Sequence, residues 1–222
     1  MSTAASNLPR ASGERAATPL RFVTAASLFD GHDAAINIMR RLIQAQGAEV
    51  VHLGHNRSVD DIVRAAVQED ADGIAVSSYQ GGHNEFFRYM VDRLAELGAS
   101  HIRVFGGGGG TITPEEIKAL MDYGVERIYH PHDGMELGLN AMIEDLVART
   151  EAARVATAAP AGGDSTMDLA RMISAIEEGI FDDGELASLR KEWQVRAAQV
   201  PVIGITGTGG AGKSSVTDEI LN

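Results

Sequence analysis

Residues 20–54 read LRFVTAASLFDGHDAAINIMRRLIQAQGAEVVHLG, and their alternation decides the fold. LRFVTAA (20–26) is a short apolar run without the polar/apolar alternation of a half-exposed strand. DAAINIMRRLIQAQ (33–46) places Ile36, Met39 and Ile43 at helical spacing, and AEVVHLG (48–54) is a second apolar run. Strand, helix and strand at these lengths form a β–α–β unit, whose two strands run parallel because the helix carries the chain back to its starting end.

The pattern continues to residue 149. SVDDIVRAAVQED (58–70) predicts a helix opened by Ser58, with Asp61 at the third following position, close to a capping box. GIAVSS (73–78) is a strand, and NEFFRYMVDRLAELG (84–98) a helix ended by Gly98. HIRVFG (101–106) is the fourth strand, TPEEIKALMDYG (113–124) a helix that starts on Thr-Pro and ends on Gly. ERIYH (126–130) and residues 134–149 complete a fifth unit. Strands this apolar are covered on both faces, so the expected architecture is a doubly wound five-stranded parallel sheet in flavodoxin-like order. Ligands of such sheets lie at the carboxyl ends of the strands.

Composition narrows the function. A chain of 222 residues has room for one domain of ordinary size and a remainder, and 44% apolar residues suffice for a core. A formal net charge of -12 argues against a nucleic-acid partner, which needs clustered Lys and Arg. It leaves phosphate binding at helix starts open. With no cysteine, disulfides, thiolate metal sites and a cysteine nucleophile are excluded. Residues 1–19 hold no apolar run of signal-peptide type and read as a disordered tail. No stretch approaches the roughly 18–20 apolar residues of a membrane span. A soluble, cytoplasmic protein is expected.

The loops after the strands carry the chemistry. After the first comes Asp30-Gly31-His32, immediately before a helix. Asp30 is placed to accept the Nδ1–H of His32 and so present Nε2 as a lone-pair donor, the usual support of a metal-ligating imidazole. A loop histidine with a neighbouring carboxylate is also an ordinary surface pair, and both readings stand at this point. Gly54-His55-Asn56-Arg57, after the second strand, reads as a polar loop. Ser77-Ser78-Tyr79-Gln80-Gly81-Gly82-His83 follows the third. Gly106 to Gly110 follow the fourth, and such a run between a buried strand and a capped helix is entropically expensive for a mere tether. His130-Pro131-His132-Asp133 follows the fifth, without a cluster at firm metal-ligand spacing. Together the loops predict a crevice with one buried imidazole, hydroxyls and a glycine floor, suited to a bulky ligand with a long tail.

Asp30-x-His32, Ser77-x-Tyr79 and Gly109-Gly110 in these loops resemble the cobalamin-binding domain of base-off, His-on enzymes, whose motifs are D-x-H-x-x-G, S-x-L and G-G. The resemblance covers residues 20–150. It implies that His32 ligates cobalt from below in place of the displaced dimethylbenzimidazole, with Asp30 behind it and Gly31 between them. It further implies that Ser77 hydrogen-bonds the displaced base and that Gly109 and Gly110 line the tail. Ala35 stands where the motif has Gly, and Tyr79 where it has Leu. Tyr79 puts the local packing of the tail pocket in question.

Residues 151–199 read as a linker: an Ala/Gly/Pro-rich stretch (151–164), then two charged helices, the second with Leu186, Leu189, Trp193 and Val195 available for docking. PVIGITG (201–207) predicts a new strand. It leads into Gly207-Thr208-Gly209-Gly210-Ala211-Gly212-Lys213-Ser214-Ser215, a full G-x-x-x-x-G-K-[ST] loop that opens a helix. Backbone N–H groups of such a loop cradle phosphates, Lys213 reaches the β/γ-phosphates and Ser214 ligates Mg²⁺. Only eight residues follow Ser214, too few for a G domain, so residues 200–222 are expected to be its beginning. No nucleotide hydrolysis is expected of this stretch alone.

A cobalamin domain, a helical linker and a P-loop in this order, with the wording FDGHDAA, SYQGGHNE, FGGGGG and GITGTGGAGKSS, resemble the fused isobutyryl-CoA mutases. That family implies adenosylcobalamin, GTP with Mg²⁺, and a GTPase chaperone that gates cofactor loading. It also implies an acyl-CoA held by a barrel domain absent from this sequence, and a homodimer in the full-length enzyme. Its reaction interconverts isobutyryl-CoA and n-butyryl-CoA by a radical route. No catalytic residue is expected within these residues. A methyl-carrying corrinoid protein shares the motifs but usually has a helical bundle before the domain. A receiver-like regulatory module needs an Asp after the third strand, where Ser77-Ser78 stand. A nicotinamide enzyme needs G-x-G-x-x-G after the first strand.

Overall fold

The computed structural model describes residues 18–156, 160, 163 and 165–221. The chain divides into two compact units with the break between Ile180 and Phe181.

The first unit holds strands β1 (Arg21–Ala26), β2 (Glu49–His52), β3 (Gly73–Ser77), β4 (Arg103–Gly107) and β5 (Arg127–Tyr129). Between and after them run α1 (Asp33–Ala45), α2 (Val59–Gln68), α3 (His83–Glu96), α4 (Pro114–Tyr123) and α5 (Pro131–Ala153), with α6 (Thr166–Glu177) beyond. All neighbouring strands are parallel and their order is β2-β1-β3-β4-β5, the flavodoxin order. The order reverses between β1 and β3, so a crevice opens there at the carboxyl edge.

Strand residues alternate between two apolar layers, which is why the strands look uniformly apolar in sequence. Val23, Ala25, Ile74, Val76, Val104 and Ile128 pack with Ile62 and Val63 of α2, Phe87 and Met90 of α3, and Leu120 of α4. Phe22, Ala75, Phe105 and Tyr129 pack with Ile43 of α1 and Met142, Ile143 and Leu146 of α5. The predicted caps are present. Ser58 Oγ accepts the N–H of Asp61 at 3.2 Å, and Thr113 and Glu116 form a reciprocal capping box. The fifth helix begins three residues before the expected 134, because Pro131 suits a first helical position, and it kinks at Gly138.

The expected linker of residues 151–199 is divided differently. α6 packs on α2, burying Ala170, Ser174 and Ala175, and Met167 joins the core on that side. Glu177 pairs with Arg21 at 3.3 Å and Glu178 with Arg154 at 3.4 Å. Small residues at helical spacing allow this approach, although the helix looks like a charged spacer in sequence. Residues 157–159, 161, 162 and 164 of the expected linker, and residues 1–17 of the expected tail, lie outside the described residues.

In the second unit, α7 (Asp183–Ala197) starts with a capping box between Asp182 and Glu185. None of its residues is fully buried: Leu186 and Leu189 are half-buried, and Trp193 and Val195 are exposed. The expected strand over 201–207 is absent: those residues carry no strand pairing. An isolated strand has no neighbour to accept its ladder hydrogen bonds. Helix α8 (Lys213–Leu221) follows the glycine loop as expected.

Candidate functional site

The loop after β1 is built around Asp30, which is 1% exposed. Its Oδ1 accepts the backbone N–H of His32 at 2.8 Å and stands 2.9 Å from His32 Nδ1. A carboxylate only accepts, so Nδ1 carries a proton, and in the neutral ring the lone pair is then on Nε2. Oδ2 accepts the backbone N–H of Tyr79 at 2.7 Å. Burial works against ionisation of Asp30, yet the N–H groups of Tyr79 and His32 and the His32 ring together hold its carboxyl below the usual range. The expected buried imidazole is a correction. The His32 side chain is 72% exposed, and it is the carboxylate behind it that is buried. The tilted Tyr79 ring lies 5.6 Å from the His32 ring.

Beside this loop a cavity of about 330 Å³ runs between the sheet edge, α1 and α5. Ser77, Tyr79 and Gly109 line it together with Ala35, Phe105 and Met142. Ser77 Oγ is buried and has no hydrogen-bond partner. Gly108 lines the same wall, and a Cβ there would stand 1.9 Å from the carbonyl oxygen of Ser78, so only glycine lets the two loops approach. Gly109 has φ 60, and a Cβ would stand 2.8 Å from the Tyr79 ring. Gly110 and Gly31 do not line the cavity, and a Cβ on either would touch nothing within 4 Å.

Sequence reasoning missed one wall of this cavity. Gly106, Gly107 and Gly108 belong to the glycine run already singled out, and they line the cavity; the missed part is α5, which supplies Met135, Leu139, Met142, Ile143 and Leu146. The helical spacing of the last three marks a core face, not which cavity it closes. His130 also lines the wall. Its Nδ1 accepts the backbone N–H of His132 at 3.2 Å, capping α5, and the two imidazoles stack at 5.4 Å. The set fits the cofactor that the motifs imply. An accessible imidazole with its tautomer fixed suits a cobalt ligand, and an unpartnered hydroxyl in a narrow apolar cavity suits a heteroaromatic tail.

In the second unit Gly210 and Gly212 take positive φ, 77 and 76, and the loop wraps the Lys213 ammonium. Lys213 Nζ donates to the carbonyls of Gly207 at 2.9 Å and Thr208 at 2.7 Å. Gly209, Ala211, Ser214 and Ser215 complete the motif, the two serines in the first turn of α8. Among the described residues no helix is long and apolar enough to cross a membrane.

The profile of the B12 binding domain matches residues 20–131, the span that contains Asp30, His32, Ser77 and the glycine run. The chain belongs to the B12-binding domain family. This B12-binding chain is 56% identical over 224 residues to the fused isobutyryl-CoA mutase of Cupriavidus metallidurans, a match covering 99% of the chain and 20% of that protein. It is 56% identical over 213 residues to the fused isobutyryl-CoA mutase of Geobacillus kaustophilus, covering 91% of the chain and 19% of that protein. The chain thus spans about a fifth of the length of these relatives. The 2-hydroxyisobutanoyl-CoA mutase small subunit of Aquincola tertiaricarbonis is 31% identical over 111 residues, half of this chain and 80% of that subunit. Among solved structures, a cobalamin-binding protein from Desulfitobacterium hafniense shares the fold of the B12-binding unit, with a TM-score of 0.50 at 20% identity over 60% of this chain and 59% of that one.

Proposed function

We propose that this chain is the cobalamin-binding part of an adenosylcobalamin-dependent isomerase that interconverts isobutyryl-CoA and n-butyryl-CoA. One observation carries the cofactor reading. The exposed His32 ring, tied through Nδ1 to buried Asp30, stands beside a cavity that holds the unpartnered Ser77 hydroxyl. His32 Nε2 would ligate the cobalt, and Asp30 holds the Nδ1 proton and the ring orientation. Ser77 Oγ would hydrogen-bond the displaced base, and the glycine backbone of Gly106–Gly109 would make room for the tail. When bound, adenosylcobalamin supplies radical chemistry through homolysis of its cobalt–carbon bond.

The reaction and substrate are supported by the relatives, which are named fused isobutyryl-CoA mutases at 54–56% identity over more than nine-tenths of this chain. The P-loop supports a fused GTPase chaperone. Lys213 is placed to turn from the loop carbonyls to GTP phosphates, and Ser214 to ligate Mg²⁺. In this reading the acyl-CoA binds elsewhere in a longer, homodimeric protein.

The test is the visible spectrum of the chain mixed with cobalamin, in wild type and His32→Ala. A base-off, His-on shift that disappears in the variant supports the reading. If a well-folded wild-type chain retains no cobalamin, His32 is an ordinary loop histidine and the isomerase assignment falls.

A further inference from the structure

Phe29 combines two features that the fold itself does not need. Its backbone is left-handed, with φ 64, a conformation that a residue with a Cβ avoids. Its ring is 75% exposed, so packing within the chain does not account for it. Two side chains from separate loops hold it there. Its N–H donates to Asn56 Oδ1, after β2, at 2.8 Å, and its carbonyl accepts from Gln80 Nε2, after β3. A glycine would take the same backbone more easily. Strain kept in place by surrounding contacts, on an exposed aromatic residue, points to a function outside the fold.

Its position says what that function is. Phe29 lies three residues before His32 and directly beside Asp30. Leu28 and Tyr79 are also partly exposed, and the Tyr79 ring adjoins His32. An accessible imidazole beside the Tyr79 ring, with Leu28 and Phe29 exposed on the same loop, suits the wide apolar lower face of a corrin. We propose that Phe29 is a cofactor-contacting residue whose ring packs against that face, and that Asn56 and Gln80 are positioning residues that hold it there. The proposal rests on the cobalamin reading above.

Two quantities test it in the purified chain: the Kd for hydroxocobalamin by absorbance titration, and the Tm of the cobalamin-free chain. Phe29→Gly is expected to raise the Tm by about 2–4 °C, by relieving strain, while weakening cobalamin binding about ten-fold. Phe29→Ala is expected to weaken binding similarly without the gain in Tm. Phe29→Tyr keeps wild-type affinity, and Asn56→Ala weakens binding although the Phe29 ring itself is retained, because the loop no longer holds it. If the Phe29→Ala and Phe29→Gly chains keep the wild-type Kd and His-on spectrum, the proposal is overturned while the cobalamin reading stands. A wild-type chain without that spectrum removes the cobalamin reading and this proposal with it.

Discussion

The backbone N–H of Tyr79 donates to Oδ2 of Asp30 at 2.7 Å, which joins the loop after β3 to the loop after β1 across the point where the strand order reverses. The same carboxylate holds His32, so the candidate ligand and one wall of the tail cavity share a buried anchor. Asp30→Asn turns an acceptor-only group into one that presents an NH₂ to these donors. The expected cost is about 2 kcal/mol in urea unfolding, with a 10–100-fold weaker cobalamin Kd, on the order seen when the group supporting a metal ligand is lost. An unchanged Kd would mean that Asp30 does not orient His32.

Gly108 and Gly110 are two residues apart and predict opposite outcomes. A Cβ at Gly108 collides with the Ser78 carbonyl, whereas at Gly110 it meets open space. Gly108→Ala should destabilise by about 3 kcal/mol or more, because backbone has to move. Gly110→Ala should stay within about 0.5 kcal/mol of wild type. Chemical denaturation of both variants decides the matter; equal stabilities would contradict the close approach of the two loops.

Ser77 Oγ is buried without a partner, so the cobalamin-free chain carries its desolvation cost. Ser77→Ala should leave that state equally stable or up to about 1 kcal/mol more stable. Cobalamin affinity should fall about ten-fold through the lost hydrogen bond. Thermal melts and cobalamin titrations of the same preparation separate the two effects. A destabilised free chain with unchanged affinity would make Ser77 a structural residue.

Glu116 titrates from about 2 rather than its ordinary 4.5, chiefly because the backbone N–H of Thr113 donates to it, with Asn84 and His83 also facing its carboxylate. A carboxyl with a lowered folded-state pKa stabilises the fold above its unfolded value. That contribution is full above pH 4.5 and is lost as pH falls towards 2. Replacing Glu116 with Gln should therefore lower stability at neutral pH and flatten its dependence between these limits. Urea midpoints measured across that range test the sign, and a Gln variant with the wild-type slope would refute it.

Ala175 is fully buried on α6. Ala175→Glu puts an unpaired charge into that contact and should destabilise the first unit by about 3 kcal/mol or more. Trp193→Ala on α7 should cost less, within about 1 kcal/mol, since no residue of α7 is fully buried. If both variants melt like wild type, α6 is a spacer after all.

Five β–α units, their parallel sheet and the loops at its carboxyl edge are legible in the sequence. These are local signals: apolar runs, helical spacing, and caps such as Ser58 and Thr113 that act within four residues. It also named Asp30 and His32, because a two-residue spacing lets one side chain reach the other. Tertiary structure alone decided that the carboxylate, not the imidazole, is the buried partner, and that Asp30 also holds Tyr79 from 49 residues away. It alone brought Met142 and Leu146 to the cavity wall, seated α6 on α2 and left residues 201–207 without a strand. Spacing within one element fixes which residues share a face. Which face meets which, and whether a strand finds a neighbour, depends on chain that is distant in sequence.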